Sequence, residues 1–93
     1  MPFHVESIID GDTFDVTGWR WGDEIGTTVR PIGYDAPEEG EPGYDEATKK
    51  LRDIILNRKV ILKNVTGIDH GCLVCDVYYN GKNLADYFPE YKK

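Results

Sequence analysis

The chain has little of what would make it a secreted, membrane-bound or nucleic-acid-coating protein. Two cysteines in 93 residues, Cys72 and Cys75, are too few for a disulfide framework and agree with a reducing compartment. No apolar run approaches the length of a membrane span, and Met1 to Glu6 has no basic segment leading into an apolar one. Cytoplasm, with no membrane partner, is therefore the expected location. Positive charge is scarce: 11 Lys and Arg against 17 Asp and Glu leave a net charge of −6. The long-range field thus repels polyanions, and any phosphate-bearing partner needs a local basic or cation-bearing site. Histidines number two, which leaves no cluster for zinc. There are no repeats, no low-complexity tract and no linker, so residues 1–93 read as one domain, expected to be a monomer.

What is present reads as short strands and one helix. Val5, Ile8, Ile9, Phe14 and Val16 sit in a β-favouring background broken by Asp10-Gly11-Asp12, which predicts two strands bent at Gly11. Glycine-rich Thr17 to Thr28 reads as a hairpin connection, and Val29 to Tyr34 as a third strand. Tyr44, Ala47, Leu51, Ile54 and Ile55 recur at spacings of three and four, the signature of an amphipathic helix that Asn57 ends. Val60 to Val65 and Leu73 to Tyr79 are a fourth and fifth strand, the latter closed by the tight-turn pair Asn80-Gly81. A short helical turn, Leu84 to Phe88, follows. Five strands with one helix between the third and fourth is the element order of an OB-fold barrel, a mainly β architecture that removes most sheet edges by closure.

The chemistry-bearing residues gather at the predicted strand bends. Asp10, Asp12, Asp35, Glu38 and Glu39 repel one another if they converge, so they imply a neutralising cation, a protonated acid, or an acidic rim whose members stay apart. Hard oxygen donors without histidine favour Ca²⁺ or Mg²⁺. Arg30 and Asp35 are an odd number of positions apart, so a regular strand would send them to opposite faces. A bulge or early strand end at Gly33 is needed to bring them together.

"IIDGDTFDV", residues 8–16, followed by "VRPIGYDAPE", residues 29–38, resembles the paired motif of the staphylococcal nuclease family, V-x-D-G-D-T and then R-x-x-x-x-D-x-P-E. The likeness continues through the helix and, weakly, through Tyr78 to Phe88. The resemblance implies a five-stranded OB-fold barrel of that type and Ca²⁺-dependent hydrolysis of phosphodiesters in single-stranded DNA or RNA. By it, Asp12, Asp35 and the Ala36 carbonyl fall on the calcium site, with Asp10 in support, and Glu38 and Arg30 on the catalytic carboxylate that orients or deprotonates the attacking water and on one catalytic arginine. The family's second arginine, in a pattern like Y-G-R-G, is replaced here by Cys72 within His70-Gly71-Cys72-Leu73. Three readings stay open: a weak nuclease, a nuclease with a substitute cation such as Arg20 or His70, and a catalytically inactive module that binds nucleic acid or protein. Trp19, Trp21, Tyr34, Tyr78 and Tyr79 are candidate stacking faces for bases. Cys72 and Cys75, an odd number of positions apart on a strand, belong on opposite faces and do not read as a zinc or redox pair.

Overall fold

A computed structural model describes Pro2–Lys93. The chain begins with an antiparallel meander, β1 (Pro2–Asp10), β2 (Thr13–Trp21) and β3 (Glu24–Pro31), continues through the helix α1 (Tyr44–Ile55), and returns as β4 (Lys59–Asp69) and β5 (Cys72–Tyr79). A two-residue strand β6 (Lys82–Asn83) and two single 3-10 turns, Leu84–Tyr87 and Pro89–Tyr91, complete it. β1 pairs with β2 and β4, β2 with β3, and β4 with β5, all antiparallel. A parallel seam, Val29 beside Leu73 and Pro31 beside Cys75, joins β3 to β5 and closes the barrel. The expected mainly β, OB-like, five-stranded barrel with one helix after the third strand is the fold observed.

Alternation along the strands explains the core. Val5, Phe14, Val16, Val29, Val60, Leu73, Cys75 and Val77 all point inward and are buried. The helix closes the barrel with Ala47, Thr48, Leu51 and Ile55, the face expected from its spacing, and ends as Asn57 turns left-handed at φ 63°. Two-residue turns set the later register. His70-Gly71 and Asn80-Gly81 both take positive φ at both positions, the geometry that matches strand twist. Among the described residues no helix is long and apolar enough to cross a membrane.

The stretch Thr17–Thr28 is the expected hairpin, but nearly all of it is strand: the β2–β3 pairing runs out to a tight turn at Gly22-Asp23. Its glycines misled because one of them serves packing rather than turning: a Cβ on Gly26 would lie 2.6 Å from the Trp19 ring. Trp19 is thereby buried, donating its indole N–H to the Thr28 carbonyl at 2.9 Å. The third strand accordingly starts earlier than Val29 and stops at Pro31, short of Tyr34.

Candidate functional site

The Asp10-Gly11-Asp12 bend is held from two directions. The Asp12 amide donates to the Asp10 carboxylate at 3.2 Å, closing the turn locally. Tyr34, buried and stacked on Phe88 with ring centres 4.6 Å apart, donates its hydroxyl to the Gly11 carbonyl at 2.8 Å. Gly11 itself is indispensable for space, because a Cβ there would meet the Ala36 and Ala47 Cβ atoms at 2.7 Å each. The segment after β3 is therefore laid directly over the bend.

That apposition depends on β3 ending early. Gly33 turns at φ 107°, so the parity of the strand is broken and Asp35 rejoins the side of Arg30, as the sequence required. The Ala36 amide donates to Asp12 Oδ2 at 3.2 Å, and Thr13 donates its hydroxyl to Asp12 Oδ1 at 3.3 Å. Arg30 Nη2 stands 3.9 Å from Asp12 Oδ2 and 3.8 Å from Asp35 Oδ1, between the two carboxylates. Asp12 is only 9% exposed. Burial first, and then the adjoining Asp10 carboxyl, push its pKa up to about 6, against the pull of the Ala36 amide and the Arg30 charge.

These groups line an open cleft of about 530 Å³. Asp12, Arg30, Asp35, Ala36 and Glu38 all contribute to it, so the structure brings together every site residue predicted from the sequence except Asp10, which sits behind Asp12, and Cys72. Glu38 is exposed at its edge, while Glu39 lies outside, on the neighbouring acidic loop. Sequence reasoning missed Glu41 and Tyr91, which also line the cleft, and Lys93, whose ammonium is 3.1 Å from Asp35 Oδ2. The final residues had no readable pattern, yet they form a short antiparallel bridge: the Asp35 amide donates to the Tyr91 carbonyl and the Lys93 amide to the Gly33 carbonyl.

The donor chemistry fits a hard cation. The cleft offers carboxylate and carbonyl oxygens and neither imidazole nor thiolate. Among the described residues no three His, Cys, Asp or Glu side chains stand close enough to hold an ion by themselves. A cation here would draw on Asp12, Asp35, the Ala36 carbonyl and water.

Other expected contributors stand elsewhere. Arg20 is on the hairpin arm, lining a separate groove with Trp19 and Ile25. His70 is in the exposed β4–β5 turn, 3.5 Å from Asp69. Neither borders the cleft, so neither adds a cation there. Of the candidate stacking rings, Trp19 and Tyr34 are core, whereas Trp21 is 44% exposed. Cys75 is buried and Cys72 faces outward in the same row as Val74, the register partner of Arg30. Burial pushes the Cys72 thiol pKa up and the Arg30 charge opposes this, which puts the two side chains within electrostatic reach.

A scan against protein-family models and a search of curated proteins gave no match.

Proposed function

We propose that the protein is a phosphodiesterase of the staphylococcal nuclease type, acting on single-stranded DNA or RNA with Ca²⁺ and weakened by the replacement of one arginine by Cys72. The observation that supports this reading is the convergence of Asp12, Arg30, Asp35, Ala36 and Glu38 on one cleft from two motifs separated by a hairpin. An acidic rim whose members merely share a surface needs no such convergence.

In this reading Asp12 and Asp35, with the Ala36 carbonyl, would hold the cation, and Asp10 fixes the backbone that presents Asp12. Bound Ca²⁺ supplies charge neutralisation and polarisation of a phosphate oxygen. Arg30 binds and orients the phosphate, since its planar fork matches two oxygens at once. Glu38, exposed at the cleft edge, accepts the proton of the attacking water. Without a second guanidinium the charge developing at phosphorus loses one preorganised donor, which elsewhere slows turnover by on the order of 10² to 10³.

A second reading is favoured by one observation. Cys72, where the family's motif has arginine, stands next to the Arg30 row, and neither Arg20 nor His70 borders the cleft. On that reading the cleft binds nucleic acid or protein without turnover. A quenched fluorescent single-stranded oligonucleotide separates the two. Millimolar Ca²⁺ should raise its fluorescence, and EDTA or Asp35→Ala should abolish the rise. Signal that is indifferent to both, or absent at high enzyme concentration, leaves only the binding module.

A further inference from the structure

Three pairs of opposite charge hold the tail that borders the cleft. Lys50 meets Glu90 at 3.0 Å, Lys92 meets Asp86, and Lys93 meets Asp35 at 3.1 Å. Between them the backbone is pinned to the segment after β3, the Asp35 amide donating to the Tyr91 carbonyl and the Lys93 amide to the Gly33 carbonyl, each at 3.0 Å. The Lys93 side chain therefore leaves a fixed backbone, and its ammonium ends on a carboxylate of the cleft. Asp35 is shared, its Oδ1 facing Arg30 at 3.8 Å and its Oδ2 facing Lys93. Among the described residues no other cation forms an ion pair with an acid that lines the cleft. Two carboxylates, Asp12 and Asp35, are thus matched by two cations, one supplied by β3 and one by the tail.

We infer that Lys93 is the second phosphate-binding cation of the cleft, resting on Asp35 in the free protein and turning to the substrate's phosphate when Asp35 serves a metal ion. This rests on the nuclease reading. The Lys93 and Asp35 side chains are 61% and 55% exposed, and a pair so open to water is weak. Asp35 Oδ2 cannot serve a divalent cation and the ammonium equally, and the singly charged, solvated partner is the one that yields. Lys93 can leave Asp35 without the tail leaving the cleft, because the two backbone bonds and the Lys50–Glu90 pair do not involve its ammonium. Freed, that ammonium stays beside the carboxylate it shared with Arg30, where a phosphate held by Arg30 presents its remaining oxygens. A flexible stem carrying three rotatable donors suits such a transfer, whereas Arg30 is fixed between Asp12 and Asp35. Lys93 adds a point charge from the tail and not a planar fork from β5, so it compensates only in part for the guanidinium that Cys72 replaces. A lysine that did no more than obstruct Asp35 would have the opposite signature: its removal would favour metal and nucleic acid alike.

The experiment compares Lys93→Met, Lys93→Arg and Lys92→Met, the last a like change of charge on the same tail, by two readouts. The first is Ca²⁺ affinity, taken from the rise in thermal midpoint over a Ca²⁺ series without nucleic acid. Lys93→Met should bind Ca²⁺ at least about twofold more tightly, because a positive charge beside Asp35 is gone. The second is fluorescence anisotropy of a labelled eight-nucleotide single strand in Ca²⁺ over a salt series, with Glu38→Gln in every protein so that the strand is not cut. There Lys93→Met should weaken binding about tenfold and lower the salt slope by about 0.7, the value of one phosphate contact. Lys93→Arg should stay within about threefold of the Glu38→Gln parent and Lys92→Met within about twofold. Ca²⁺ affinity unchanged by Lys93→Met, strand binding unchanged or tightened by it, equal losses in the two methionine variants, or no strand binding by the parent would overturn the inference. Cleavage by the protein with Glu38 intact separates the two proposals. No Ca²⁺-dependent cleavage, with both Lys93→Met effects observed, sinks the nuclease reading alone; cleavage, with strand binding indifferent to Lys93, sinks the role of Lys93 alone.

Discussion

Replacing Asp12 with asparagine should stabilise the protein at neutral pH and abolish its response to Ca²⁺. Asp12 is buried behind Arg30 and titrates at about 6 rather than 3.8. At about 1.4 kcal/mol per pH unit, keeping it ionised above pH 6 costs the fold about 3 kcal/mol. Asparagine removes the charge yet can still accept the Ala36 amide and meet the Thr13 hydroxyl. That figure already nets the Arg30 attraction against burial; the amide's poorer fit to its two donors offsets part of the gain, so about 1 to 2 kcal/mol should remain, or roughly 5 to 15 °C in a domain of this size. The sign follows from proton linkage. Between pH 3.8 and about 6 the native state binds the extra proton, so wild-type stability falls as pH rises through that window. Below it the acid is neutral in both states and the advantage of the variant disappears. Urea unfolding of both proteins from pH 3.5 to 8 measures the difference, and acids common to both cancel. Ca²⁺ should then reverse the order: at a hundred times its dissociation constant a ligand of the native state adds about 2.7 kcal/mol, to wild type only. A stability difference that does not vary with pH, or an asparagine variant less stable than wild type at pH 7, refutes the reasoning about Asp12. Indifference of wild type to Ca²⁺ removes the metal proposal and leaves the titration intact.

Two further outcomes are expected. Gly11→Ala should destabilise by about 1 to 3 kcal/mol and lower any cleavage activity, because the new methyl pushes the Ala36 segment off the bend that presents Asp12, as a shifted urea midpoint would register. Cys72→Arg, on the outer face beside the Arg30 row, should fold with little change in thermal midpoint and raise Ca²⁺-dependent cleavage by on the order of 10² to 10³; a folded variant no more active than Cys72→Ser counts against a latent nuclease.

Elements governed by local chemistry were legible in advance. The helix shows in the spacing of Ala47, Leu51 and Ile55, and Asn80-Gly81 marks its turn because few other residues tolerate positive φ at both positions. The odd spacing of Arg30 and Asp35 demanded an irregularity, and Gly33 supplies it. What sequence could not disclose depends on distant partners. Gly26 is set by the Trp19 ring, Tyr34 is drawn inward by Phe88 and the Gly11 carbonyl, and the tail reaches the cleft by pairing with residues almost sixty positions earlier. None of these leaves a periodicity to detect. Cys72 was informative as a departure from a motif, but its outward aim came only from the register of the seam.

That seam also sets an order of events for the folding chain. Its partners, Val29 and Leu73, are 44 positions apart, whereas β1, β2 and β3 are joined by tight turns and can zip together as neighbours. The meander and helix are thus free to form early, but the loop-closure entropy of the seam has to be met before the barrel shuts. Until then the β3 edge is unpaired and Arg30, Asp12 and Asp35 lack the wall that aligns them, so the cleft is assembled among the last features to appear. Mutations in the Val29–Pro31 and Leu73–Cys75 pairing should therefore act chiefly on the rate of unfolding, and those in the meander on the rate of folding.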